Sequence, residues 1–187
     1  MSKRIFIAFP VPVNIREYLA SVSRDLAEKH QEVAVNWVPS ENMHLTVHFL
    51  GDLEDDKLDQ VKARLAARAN VFSAFTCTLA HVTAYPSPRV AKIIVAEVKP
   101  KENTPKVMWG VLAKDFMRLG LETDKKPWTP HITLGRVKKG EISNLSEMKL
   151  ERMSWLVDSV KIFSSELGPD GSKYTGEGEF KLVNREI

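Results

Sequence analysis

One short pattern occurs twice in this chain, as His44-Leu45-Thr46-Val47 and again as His131-Ile132-Thr133-Leu134. Both copies lie in stretches that alternate polar and apolar residues, over 43–51 and 128–138. Alternation of that kind marks a half-buried β-strand. Successive side chains of a strand point to opposite faces. Each copy therefore sets one imidazole and one hydroxyl on the same face, roughly 6.5–7 Å apart along the strand. Leu45, Val47, Ile132 and Leu134 face the other way, toward a core. A fold for this chain must accommodate two strands of that kind.

Two histidines on two strands suit cleavage of a phosphodiester without a metal. One imidazole takes a proton from the nucleophile while the other gives one to the leaving oxygen. Imidazole titrates near neutral pH, so one ring can be neutral while its partner is charged. Each threonine adds a hydroxyl donor for a phosphoryl oxygen whose charge grows in the transition state. A single His-x-Thr is common and means little. Two copies in matching surroundings are far less expected by accident.

The rest of the composition is permissive. At 187 residues, 43% of them hydrophobic and 27% charged, the chain has the make-up of a soluble globular domain. Its single cysteine, Cys77, allows no internal disulfide, which fits a reducing compartment, and its alternating apolar surroundings make it a core residue. The first apolar run is short and is broken by Pro10 and Pro12, so it reads as neither a signal peptide nor a membrane span. The net charge of +3 permits an anionic substrate without arguing by itself for nucleic acid.

Along the chain, residues 4–9 read as a buried strand. Ile15, Leu19, Val22 and Leu26 form a helical stripe within 13–29. The first motif strand is expected over 43–50, with Gly51 as its stop. Asp52, Glu54, Asp55 and Asp56 read as the acidic start of a helix carrying Leu58, Val61 and Leu65, in preference to a metal site. Strands are expected over 75–83 and 90–98, separated by the loop Tyr85-Pro86-Ser87-Pro88. Thr104-Pro105 predicts an N-cap and first turn for a helix ending before Gly120. The second motif strand, 129–137, precedes a weak helix over 141–149, a strand over 155–167, a turn at 168–171 and a last strand over 173–183. Ile5 precedes His44 by 39 residues, and Lys92 precedes His131 by the same 39. That spacing suggests a duplicated unit whose equivalent strands meet in one cleft.

At this point a family is recognisable. The two His-x-Thr-x motifs resemble those of the two-histidine (2H) phosphoesterase superfamily. The flanks are similar to the RNA 2′,3′-cyclic phosphodiesterases, also described as 2′-5′ RNA ligases. Those flanks are Arg4-Ile5-Phe6-Ile7-Ala8-Phe9, Trp37-Val38-Pro39, Phe49-Leu50-Gly51, the stretch 130–136, and Ser165-Glu166-Leu167-Gly168-Pro169. The resemblance implies an α+β, two-lobed pseudo-two-fold duplicated fold, with two antiparallel sheets facing a central groove and helices outside. It implies a single domain over 1–187 made of two pseudo-repeats, about 1–84 and 90–187. The implied reaction is hydrolysis of a terminal RNA 2′,3′-cyclic phosphate to a 2′-phosphomonoester without metal, ATP or other cofactor. His44 is the implied general acid and His131 the general base, with exchange of the two roles left open. The reverse reaction joins ends through a 2′-5′ bond. The implied partners are RNA 3′ ends such as those of tRNA fragments, met by a cytoplasmic monomer away from any membrane. Two competing functions keep the same motifs: a phosphodiesterase acting on small cyclic nucleotides or 2′-5′ oligonucleotides, and an RNA-end binding module without turnover.

Thr46, Thr133 and Arg136 are the expected substrate-binding residues, and a guanidinium suits a phosphate. Strict alternation from Thr133 puts Arg136 on the wrong face, so a bulge at Gly135 is required. A straight strand places His48 beside His44 and Thr46 as a groove-edge residue, and Phe49 on the core face. His30 and His81 read as structural or exposed. Phe49, Tyr85, Trp128 and Tyr174 are candidates for stacking on a base, with Trp37 and Trp128 as packing residues ahead of the motif strands. Lys125, Lys126, Lys138 and Lys139 flank the second motif strand.

Overall fold

The apolar runs and stripes of the sequence become strands and helices with small shifts. The computed structural model describes the chain apart from residues 1, 124–125, 143–144, 146–147, 149, 169–170 and 185–187. Strand β1 is Lys3–Phe9, helix α1 Val13–Lys29, β2 Ala34–Trp37, β3 Leu45–Leu53, α2 Asp55–Ala69 and β4 Phe75–Tyr85. Then come β5 (Ile93–Pro100), α3 (Thr104–Arg118), β6 (His131–Lys139), β7 (Ser154–Val157), β8 (Ser159–Gly168) and β9 (Gly171–Lys181). The stripes are buried as their spacing requires: Ile15, Leu19, Val22 and Leu26 on α1, Leu58, Val61 and Leu65 on α2.

Several boundaries differ for local reasons. Gly51 does not stop β3; it carries a φ of +72° inside the strand, which runs on to Leu53. Thr104 is the first helical residue of α3, so Asn103 occupies the cap position, without a side-chain capping bond. Gly120 takes a φ of +76° just past α3, as a C-terminal stop should. The stretch 155–167 is two strands broken at Asp158. The helix expected over 141–149 and the turn over 168–171 fall largely or partly outside the described residues.

The strands form one curled antiparallel sheet in the order β7-β4-β5-β6-β3-β1-β8-β9, with β2 on the far part of β6. The two sheets of the expectation are thus two wings of one sheet. Motif strands β3 and β6 join the wings through a single pair, Leu45 with Ile132. The wings do not coincide with the halves of the sequence. Strand β4 lies beside β5, and β8 lies beside β1. Helices cover the outer face, α1 against β6, α3 against β3, and α2 against β8 and β9. Phe9, Phe75, Phe116 and Leu45 are wholly buried in the core between. Cys77 is also buried there, and burial pushes its thiol up to about 12, an inert state.

Candidate active site

His44 is the residue just before β3, and His131 is the first residue of β6. Each ring is held by its own chain. The Nδ1 of His44 lies 2.7 Å from the carbonyl of Asn42, and that of His131 lies 2.7 Å from the carbonyl of Thr129. A carbonyl only accepts, so each Nδ1 carries the hydrogen and donates it. Whenever such a ring is neutral, its lone pair is therefore on Nε2. Both histidines, both motif threonines and Arg136 line one cavity of about 390 Å³.

The surroundings of the two rings are unequal. His44 packs against Phe6 at 4.8 Å between ring centres and meets Tyr174 edge-on at 5.4 Å. Burial pulls its pKa down from 6.5 to about 4, with the Arg136 and His131 charges adding to the effect and the Asn42 hydrogen bond opposing it. His44 is therefore neutral at pH 7. His131 meets Tyr85 edge-on at 5.7 Å and has Glu97 as its cross-strand neighbour.

Arg136 reaches the groove because β6 is irregular where required. Opposite β5, Thr133 pairs with Val95 and Gly135 with Ile94, so Leu134 is the extra residue of a bulge. Leu134 and Gly135 are both buried and Arg136 emerges exposed. A side chain at 135 has no room: a Cβ there lies 2.6 Å from Val35 Cγ1 and 3.0 Å from Trp37 Cε3.

Strand β3 breaks its alternation at the matching place, which the sequence reading missed. Opposite β1, Thr46 pairs with Ala8 and His48 with Ile7, leaving Val47 as the extra residue. Two expectations reverse as a result. His48 is not at the groove edge; it is fully buried, its Nε2 is 2.9 Å from the carbonyl of Trp109, and it stacks on that indole. Phe49 is not in the core; it is 55% exposed and lines the cavity. Phe49 and Arg136 each follow their motif histidine by five residues. Since β3 and β6 run antiparallel through one pair, Phe49 and Arg136 lie toward opposite ends of the groove.

Trp128 lines the cavity, packs edge-on to Phe9 and donates from Nε1 to the carbonyl of Thr46 at 2.8 Å. It thereby ties the approach to β6 onto β3, where the ladder itself is one pair long. Trp37 packs over Gly135, as noted above. Tyr85 and Tyr174 line the cavity, each against one histidine. Lys126 lines it too, whereas Lys138 and Lys139 are exposed on β6 and Lys125 lies outside the described residues. His30 and His81 lie near Glu32 and Glu97, at 3.7 and 3.5 Å. Among the described residues, no three His, Cys, Asp or Glu side chains converge as metal ligands, and no helix is long and apolar enough to cross a membrane.

Residues 9–95 match the family described as LigT like Phosphoesterase. The chain is 31% identical over 180 residues to an RNA 2′,3′-cyclic phosphodiesterase of Thermotoga maritima, covering 91% of each chain. It is 26% identical to one of Methanothermobacter thermautotrophicus, over 97% of this chain and all of the relative. Among solved structures, the TT0787 protein of Thermus thermophilus superposes with a TM-score of 0.83 at 25% identity, over 98% of this chain and all of that one. The LigT protein of E. coli bound to 3′-AMP does so with 0.78 at 23% identity and the same coverage, which is a likeness of fold.

Proposed function

The chain belongs to the RNA 2′,3′-cyclic phosphodiesterase family of LigT-like 2H phosphoesterases, and from that membership we propose that it opens the 2′,3′-cyclic phosphate at RNA 3′ ends to a 2′-phosphomonoester. The observation that carries this reading is the pair of imidazoles. Both have Nδ1–H engaged by a backbone carbonyl, and both share one cavity with Arg136. In the proposed reaction, Nε2 of His131 accepts a proton from water as its oxygen bonds to phosphorus. The bond from phosphorus to the 3′ oxygen breaks, and His44 delivers a proton to that oxygen. Thr46 and Thr133 donate to the non-bridging oxygens, and Arg136 offsets their growing charge. Burial is the main reason His44 holds its proton weakly, and a cyclic phosphate anion beside the ring favours its charged form, as an acid requires. Attack by a 5′ hydroxyl in place of water opens the same ring at the 3′ oxygen and joins two ends through a 2′-5′ bond. The exposed face of Phe49 offers a surface for the terminal base. The reading carries with it a monomer in a reducing cytoplasm, acting on ends such as those of tRNA fragments.

One observation favours the exchanged roles: burial keeps His44 neutral at pH 7, as a base is. A substrate with sulfur in place of the 3′ oxygen separates the two, because a departing thiolate needs no proton. It restores turnover to His44→Ala if His44 is the acid, and to His131→Ala if the roles are exchanged. The first test is product analysis, using a short RNA ending in a 2′,3′-cyclic phosphate, with EDTA present and no ATP. A 2′-phosphate is expected. A 3′-phosphate refutes the proposed bond cleavage, and tight binding without turnover refutes the enzyme.

A further inference from the structure

Tyr85 and Glu97 have no part in the chemistry above, yet they make a tight contact beside His131. The Tyr85 hydroxyl donates to Glu97 Oε1 at 2.6 Å, and the other carboxylate oxygen is 3.5 Å from Nε2 of His81. Burial and the Glu97 hydrogen bond push the Tyr85 phenol further above its ordinary range, so it stays a donor. The sheet supplies the placement. Glu97 of β5 pairs directly with His131 of β6, and cross-strand partners share a face. Tyr85, the last residue of β4, turns its ring at 82° to the His131 imidazole. His44 is surrounded differently, by Phe6, Phe163 and Tyr174, with no carboxylate among these contacts.

We propose that Tyr85 and Glu97 are positioning residues for His131: Glu97 fixes the Tyr85 ring, and that ring limits the swing of the imidazole. The Thr129 carbonyl anchors one ring atom but leaves rotation about that hydrogen bond. A second ring held at 82° to the imidazole restricts that remaining freedom. Reaction rates are sensitive to errors of this kind, since misplacement by about 1 Å can cost a hundredfold. The proposal rests on the reading of His131 as a proton-transfer group.

Steady-state kinetics on a short RNA with a terminal cyclic phosphate test it. Tyr85→Phe and Glu97→Ala are each expected to lower kcat about tenfold while KM stays within about twofold. The double variant is expected to fall no further than either single one, because both break one contact. Glu97→Gln keeps an oxygen that accepts from the Tyr85 hydroxyl, and is expected to retain most of kcat. An unchanged kcat, an effect confined to KM, or a Glu97→Gln as poor as Glu97→Ala overturns the proposal. A second readout does not depend on turnover. In protein labelled at histidine and free of substrate, NMR signals of the His131 ring are expected to broaden or move in Tyr85→Phe and Glu97→Ala, while those of His44 stay. Unmoved His131 signals overturn the proposal. Moved signals in a protein that never turns over cyclic phosphate leave it standing and sink the functional reading instead.

Discussion

The low pKa of His44 has a consequence for stability as well as for chemistry. An unfolded chain binds a proton at this residue near pH 6.5, whereas the folded protein resists it down to about 4. Between those values the unfolded state holds more protons, so stability falls as pH drops through the window and levels off below it. The full difference is on the order of 3 kcal/mol. Urea titrations between pH 7 and 4 are expected to show a shallower loss for His44→Gln than for the unchanged protein. For activity, His44→Ala and His131→Ala are each expected to lower kcat by at least about a hundredfold with the fold intact, checked by circular dichroism beside the rate. An active His131→Ala protein would end the two-histidine mechanism. Phe49 is the opposite case, with little packing to lose at 55% exposure. Phe49→Ala is expected to leave the melting temperature nearly unchanged while KM for cyclic-phosphate RNA rises about tenfold, the scale of one lost base stack.

At the scale of single elements, the motif strands are defined by their irregularities as much as by their alternation. Each has an extra residue immediately after its threonine, Val47 in β3 and Leu134 in β6. That residue turns the fifth position after the histidine from the core to the groove. In β6 the turn depends on Gly135, which Val35 and Trp37 press from β2. Gly135→Ala is expected to cost about 1–3 kcal/mol by overpacking and to reduce kcat/KM by displacing Arg136. Adding Val35→Ala, which removes the nearest clashing atom, is expected to recover much of the melting temperature. Failure of that rescue would mean the glycine serves backbone geometry alone.

Across the whole molecule, the two parts of the chain are interlocked twice. Strands β4 and β8 cross into opposite wings, and helices α2 and α3 are clamped by one ion pair. Arg68 of α2 donates to both oxygens of the buried Asp115 of α3, at 2.6 and 3.0 Å, and Arg118 adds a third contact at 3.3 Å. The Arg68 hydrogen bonds hold the Asp115 carboxyl below its ordinary range. Its contribution is therefore present above the unfolded carboxylate value and is lost as pH falls through the folded one. Asp115→Ala is expected to lower unfolding stability by about 1.5–3 kcal/mol at pH 7. The deficit should shrink in acid, where the unchanged protein loses the same contact. A deficit independent of pH would assign the loss to packing.

What the sequence determined by itself was everything carried by local periodicity. The helical stripes of α1 and α2, the strand character around both motifs and the same-face placement of each His–Thr pair follow from 3.6- and 2-residue repeats that need no partner. Parity alone put Arg136 on the far face of β6; the bulge was expected only because the family resemblance implies an arginine in the groove. The matching irregularity in β3 was not legible. Nothing in Val47-His48-Phe49 marks a bulge, and what receives His48 inside lies on α3, where Trp109 offers a carbonyl and a ring to stack on and Phe116 meets it edge-on. The joining of two wings by one residue pair and the exchange of β4 and β8 were likewise decided by tertiary structure, as was the placing of Glu97 beside His131. These are contacts between segments distant in sequence, set by which strand edges and faces remain open once the local elements have formed.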